Sequence, residues 1–393
     1  MKTNLILHIS LVSNLIYKPS GEAKVAFDIA HELSKNNINV VLFTTNIKLI
    51  NNKFIPKISY YNKYFILYHS NILCNILSTY KIAFIKIEDI LALKYFIKKA
   101  SIVHLHGYPS LLNIIAYYFI KKYKKPYILQ AHGSLFTNNN SFLKKMFNII
   151  IGNKLLNNAN IVIALSSIEY EEYMLKNVKP SKIEILPNGI NINKINHPQK
   201  GAFKNKLHIP DNYKILLYLG RVIELKGIDL LIESFSILNK KYDKIKLVIV
   251  GPNNEYSKKL ELLAIKLNIK ENVIFTGPLY NTQKDEAYND SYVFVLPSRY
   301  DTFPMTLLEA MEYSLPLIIS EYCQAANNFK SVGIISKNDP SSLSKSIEIL
   351  LIDEVKYNEY KNNCKLVLNK YSINDVVKEL QNIYNQQINT RQK

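Results

Sequence analysis

Four residues carry the chemistry this sequence offers: Arg221, Lys226, Asp301 and Glu309. Arg221 and Lys226 are cations five positions apart, directly after the apolar run Ile215-Leu216-Leu217-Tyr218-Leu219-Gly220. A guanidinium and an ammonium at the carboxyl end of a strand suit a doubly charged diphosphate. Asp301 and Glu309 are carboxylates eight positions apart, inside Pro297-Ser298-Arg299-Tyr300-Asp301-Thr302-Phe303-Pro304-Met305-Thr306-Leu307-Leu308-Glu309. Carboxylates so placed can accept hydrogen bonds from sugar hydroxyls on either side of a diphosphate. Arginine is scarce, with only Arg221, Arg299 and Arg391 in the chain, so its position at a strand end is informative.

The elements that must position these residues follow from pattern. Tyr292-Val293-Phe294-Val295-Leu296 is apolar and partly β-branched and reads as a buried strand. Leu307 to Met311 holds strong helix formers with no Gly or Pro, and Pro304 suits a helix start. The order is therefore strand, short loop, helix. The free N–H groups of a helix start favour a phosphate. Strands are expected at 214–219, 245–250, 272–275 and 292–296, with a further one at 315–320, and helices between them. Ligands of such open α/β sheets bind at the carboxyl ends of the strands.

The first half reads the same way. Leu5 to Ile9 is a strand, Lys18 to Ala23 a turn holding Gly21, Val25 to Leu33 a helix, and Asn39 to Thr44 a strand. Two later strands end in His-Gly: Ile102-Val103-His104-Leu105-His106-Gly107 and Tyr127-Ile128-Leu129-Gln130-Ala131-His132-Gly133. A lone His is more often packed than catalytic, but two at equivalent strand ends favour function. Residues 50–100 give no clear elements. Phe142 to Ile151 reads as a packed helix, with a place on a membrane surface as the other reading.

These stretches resemble glycosyltransferase family 4, the retaining group 1 enzymes of GT-B fold. The resemblance rests on Gly220-Arg221, Lys226-Gly227 and the Asp301/Glu309 pair, and reaches Pro187-Asn188-Gly189 before the hinge. It implies an α/β fold of two Rossmann-like domains facing each other across a cleft. These would be an acceptor-binding domain at 1–195, a nucleotide-sugar-binding domain at 196–372, and a terminal helix at 373–393 crossing back to the first. It implies glycosyl transfer from a nucleotide sugar to an acceptor hydroxyl with retention, no cofactor and no metal, in cell-surface polysaccharide, glycolipid or glycoprotein glycan assembly. Arg221 and Lys226 would hold the diphosphate and Glu309 the ribose. Asp301 and the N–H groups of the turn through Phe303, Met305 and Thr306 would orient the sugar. Gly21 and Gly251 would line the donor loops, and His132 would lie beside the donor sugar. The sequence departs from the family at three points: Asp301 replaces a Glu, Ser314 a Gly after the helix, and the loop at Gly21 has one glycine where two are usual.

The remaining readings stay beside this one. Residues 1–195 hold 24 lysines and 9 acidic residues, +15, while residues 196–393 hold 26 basic and 22 acidic residues, +4. The basic half favours an anionic acceptor or membrane face, unless lysine is simply abundant in this proteome. The lysines are not grouped with a reader motif, so nucleic acid is not an expected partner. Cys74, Cys323 and Cys364 have no metal or redox spacing and fit a reducing cytoplasm. The expected place is cytoplasmic, with peripheral attachment to the inner membrane face as the variant the basic half allows. A catalytically idle membrane-docking module, or another GT-B enzyme such as a sugar-nucleotide epimerase, remain as alternatives.

Overall fold

A computed structural model describes residues 4–11, 21–46, 58–77, 82–135, 152–192 and 198–390, with the backbone alone at 46, 71–77 and 82–84. The chain divides into two compact units, Met1–Gly189 with Ile373–Lys393, and Ile190–Ser372.

The first unit carries β1 (Leu5–Ile9), β2 (Asn39–Asn46), β3 (Ile58–Asn62), β4 (Phe65–Leu77), β5 (Ile82–Ile85), β6 (Ile102–His106), β7 (Tyr127–Gln130), β8 (Ile161–Ala164) and β9 (Ile183–Ile185). They form one sheet in the order β3-β4-β2-β1-β6-β7-β8-β9, with β5 also paired to β4. Pairing is parallel except where β3 and β5 meet β4. β6, β7 and β8 are buried along their whole length, as unbroken apolar runs in a parallel sheet should be. The helix Ile373–Asn389 belongs to this unit and packs on the helix Gly21–Lys35 and on β6. Its buried residues Val376, Val377, Leu380, Tyr384 and Ile388 form one stripe at helical spacing.

The second unit carries β10 (Lys214–Leu219), β11 (Ile245–Val250), β12 (Val273–Gly277), β13 (Val293–Leu296), β14 (Leu317–Ser320) and β15 (Gly333–Ser336). All are parallel, in the order β12-β11-β10-β13-β14-β15. The strand order reverses between β10 and β13. The first sheet reverses likewise between β1 and β6. Each reversal leaves a crevice at the strands' carboxyl ends, where the flanking loops diverge.

Some expectations need correction. Gly21 is not in a turn: it is the first residue of the helix Gly21–Lys35, which Glu22 and Ala23 continue. Leu315 and Pro316 precede β14 and leave it four residues long. Residues 50–100, left without elements by pattern, contain β3, β4, β5 and the helix Ile87–Lys99. Phe142 to Ile151 and the residues just before Gly21 lie outside the described residues.

Candidate functional site

The second unit's site grows from two neighbouring loops. After β10 the chain passes Gly220 and Arg221, makes a tight turn at Glu224–Lys226, and enters the helix Ile228–Asn239 through Gly227. Gly227 has φ +63°, and a Cβ there would strike the Pro297 carbonyl oxygen of the loop after β13. Only glycine lets the two loops approach this closely. Arg299 then fastens them. Its backbone N–H donates to Leu225 O at 2.8 Å, and its guanidinium donates to Glu224 O at 2.6 Å and to both oxygens of Asp229 at 2.8 and 2.6 Å. Burial of Asp229 opposes its ionisation, but the hydrogen bonds and charge of Arg299 prevail and hold its carboxyl below the usual range.

This fastening fixes Lys226, which is 9% exposed and forms an ion pair with Asp301 Oδ2. Ser298 Oγ donates to the same oxygen at 3.3 Å. The Asp301 backbone is held across the loop after β14, its carbonyl accepting from Gln324 N at 2.8 Å. The helix Met305–Glu312 begins after Pro304, which has no N–H to offer. Phe303 is buried against Phe329 and Tyr371, and Met305 is buried too, so both face the core and leave their backbone to the site. Thr306 is half-buried. Glu309, one turn further, accepts from Lys284 Nζ at 2.9 Å and from Tyr288 OH at 3.1 Å. Arg221 is exposed and forms no ion pair among the described residues. Gly251 lies just beyond β11, where a Cβ would strike Gly220 O. The structure thus joins Lys226 to Asp301, and gives Glu309 partners of its own on the helix Asn281–Asn289.

In the first unit, His106 ends β6 and His132 follows β7, with His106 Nδ1 and His132 Nε2 3.0 Å apart. His132 has φ +53°, a left-handed conformation that a side chain rarely adopts. The next residue anchors this turn: Gly133 N donates to Glu169 Oε1 at 2.8 Å. Glu169 is fully buried and also accepts from Leu165 N at 2.7 Å. Burial pushes its carboxyl up to about 7 despite those two donors. Glu169 is therefore more than an acid suited to a helix's first turn. Gly21 is exposed, and a Cβ there would meet nothing within 4 Å. No contact in the described structure demands glycine at that position.

Sequence reasoning missed Arg299, Asp229, Lys284, Tyr288 and Glu169. Lys284 and Tyr288 stand four apart on one helix face, and that spacing was their only signal.

Comparisons with known proteins agree with this geometry. The model of "Glycosyl transferases group 1" matches residues 199–367, and that of "Glycosyltransferase Family 4" matches residues 19–194. The chain is 28% identical over 238 residues to the capsular polysaccharide biosynthesis glycosyltransferase CapM of Staphylococcus aureus, covering 58% of this chain and 62% of that protein. It spans 55% to 62% of the length of the first curated relatives it matches. Sucrose-phosphate synthase from Thermosynechococcus elongatus superposes with a TM-score of 0.79 at 18% identity, covering 98% of this chain and 100% of that one. Anabaena HepE, solved with UDP and glucose, superposes with a TM-score of 0.77 at 14% identity over the same shares. The strand-end site and the paired family matches make this chain a member of the group 1, family 4 glycosyltransferases, with the GT-B fold.

Proposed function

We propose that the protein moves a hexosyl unit from a nucleotide sugar to an acceptor hydroxyl, with retention and without a metal, in the assembly of a cell-surface polysaccharide or glycolipid. The observation that carries this reading is the second unit's switch point: Arg221 and Lys226 after β10 stand beside Asp301 and the helix carrying Glu309 after β13. Lys226 and Arg221 take the diphosphate and stabilise the charge that grows on the leaving group. The first N–H groups of the helix at Met305 add a positive dipole end. Glu309 accepts from the ribose hydroxyls, and Asp301 with the backbone at Phe303, Met305 and Thr306 orients the sugar. Gly251 keeps the neighbouring loop close, and His132 is assigned to the donor sugar. Front-face attack assisted by the leaving phosphate fits retention.

CapM's capsular role and the UDP and glucose seen with HepE support the acceptor class and the donor class. Calorimetry with UDP, followed by hydrolysis of a nucleotide-sugar panel, tests the reading. Arg221→Ala and Lys226→Ala should each weaken UDP roughly ten- to a hundredfold, the scale of hydrogen bonds to a charged group. Unchanged affinity in both variants would refute the assignment.

Among the described residues no helix is long and apolar enough to cross a membrane. The lysine excess of residues 1–195 supports docking on an anionic surface. Binding to phosphatidylglycerol vesicles should then fall steeply with salt; equal binding to neutral vesicles would make the charge merely compositional.

A further inference from the structure

Behind His132 runs an unbroken chain of buried hydrogen bonds that the assigned chemistry does not use. His106 Nδ1 meets His132 Nε2 at 3.0 Å, and His106 Nε2 meets His8 Nδ1 at 2.9 Å. His8 Nε2 meets Tyr384 OH at 3.4 Å, and Tyr384 OH meets His104 Nδ1 at 2.7 Å. The register of the first sheet builds this chain. His8 on β1 lies opposite His104 on β6, and His104 and His106 share a face two residues apart. Tyr384 reaches the group from the terminal helix. His8, His104 and His106 are wholly buried, and Tyr384 is 1% exposed.

A neutral imidazole has one N–H and one acceptor nitrogen, so each link fixes the next. Burial keeps His8, His104 and His106 neutral, with their basicity lowered far below that of an exposed histidine. The same three rings lie close enough to share a cation. Two of their nitrogens, however, already face each other at hydrogen-bond distance. The single hydroxyl hydrogen of Tyr384 decides the polarity. The 2.7 Å contact has the length of an O–H donor bond and the 3.4 Å contact does not, so Tyr384 donates to His104. His8 Nε2–H then points at Tyr384, His106 Nε2–H at His8, and His132 Nε2–H at His106.

We infer that Tyr384, His8 and His106 are positioning residues that hold His132 as the Nε2–H tautomer, leaving Nδ1 as the acceptor nitrogen offered to a hydroxyl of the donor sugar. This deepens the assignment of His132 to the donor sugar and rests on it. The terminal helix thereby sets the hydrogen-bond polarity of a residue 252 positions earlier in the chain.

The test uses the full chain labelled with ¹⁵N-histidine. In the wild type, His132 should show the Nε2–H nitrogen pattern. Tyr384→Phe keeps the ring and removes only the hydroxyl. It should convert His132 to a mixture of tautomers and lower turnover roughly tenfold, the scale of one hydrogen bond, with UDP affinity unchanged. His104→Asn keeps an acceptor facing Tyr384 and removes His104 Nε2, which has no partner. It should leave the His132 pattern intact. An Nδ1–H pattern in the wild type, or His132 signals that do not respond to Tyr384→Phe, would overturn the inference. So would scrambling of the pattern by His104→Asn. The nitrogen spectra need no substrate. A wild type that turns over no nucleotide sugar would count against the enzymatic reading alone.

Discussion

The two units reverse strand order at equivalent places and fill the two crevices with opposite chemistry. At the β10/β13 reversal the loops carry full charges: Lys226 against Asp301, Arg299 against Asp229, and Arg221 exposed. At the β1/β6 reversal the strands carry imidazoles that burial keeps uncharged, with His8 lowered to about 3. The backbone arrangement is shared, so side chains alone set the electrostatics. Buried ion pairs repay their desolvation only with good geometry and further hydrogen bonds, which Arg299 and Ser298 supply here. They keep cations ready for a multivalent anion. A neutral imidazole chain can bond hydroxyl groups at a site where a charge would be penalised. The difference supports dividing the donor's diphosphate and its sugar between the two kinds of crevice.

The strongest way to break this division is within the charged crevice. Asp301→Ala should abolish transfer yet keep affinity for UDP, which has no sugar for the carboxylate to hold. It also frees Lys226 from its ion pair. Glu309→Ala should lose both transfer and UDP affinity, because donor and product share the ribose. The loss of affinity should be about ten- to a hundredfold, from roughly 1.5–3 kcal/mol per charged hydrogen bond. Side-by-side calorimetry decides the point. Equal losses would show that the pair is divided wrongly.

The uncharged crevice is sharpened through Glu169, which anchors the turn bearing His132 and whose carboxyl is raised to about 7. An acid raised above its unfolded value binds more protons when folded, so its contribution to stability falls as pH rises from about 4.5 to 7. The wild type should lose roughly 2–3 kcal/mol from this group across that window. Glu169→Gln cannot titrate and presents an amide to one of two N–H donors, so it starts less stable. The gap in Tm between the variant and the wild type should narrow as pH goes from 5 to 8. A constant gap would show that Glu169 stays ionised throughout.

Legibility in the sequence followed range. β10, β11 and β15 were readable to the residue, because parallel strands are continuous apolar runs ended by Gly. Asp301, Glu309, Arg221 and Lys226 were readable because each stands at a fixed offset from such a run. Arg299 was visible as one of three arginines, but its partner Asp229 lies 70 positions away, and no local pattern links them. His8 and His104 were invisible as a pair for the same reason, since the register of β1 on β6 brings them together. Gly21 misled because a glycine before an apolar stripe signals a turn, whereas here it opens the helix itself.

The smallest expected effect concerns the end of the Glu309 helix. Ser314 N donates to Met311 O at 2.9 Å, and Leu315 N to Ala310 O at 3.1 Å. These are the paired bonds of a Schellman ending, with Ser314 at its left-handed position, φ +55°. Asn177 and Asn268 take the same region of φ beyond two other helices, and asparagine tolerates it better than serine does. A left-handed L-residue costs roughly 1–2 kcal/mol. Glycine removes that strain but adds roughly 0.4–1 kcal/mol of unfolded-chain entropy. Ser314→Gly should therefore stabilise the second unit by about 0.5–1 kcal/mol, raising its Tm by roughly 1–4 °C for a unit of this size. Calorimetric melting measures the shift, and UDP affinity should stay within about twofold because Glu309 keeps its partners Lys284 and Tyr288. A lowered Tm would show that serine is held there by a bond worth more than the strain. A large change in UDP affinity would show that the helix end, and not Glu309 alone, sets the position of the ribose carboxylate.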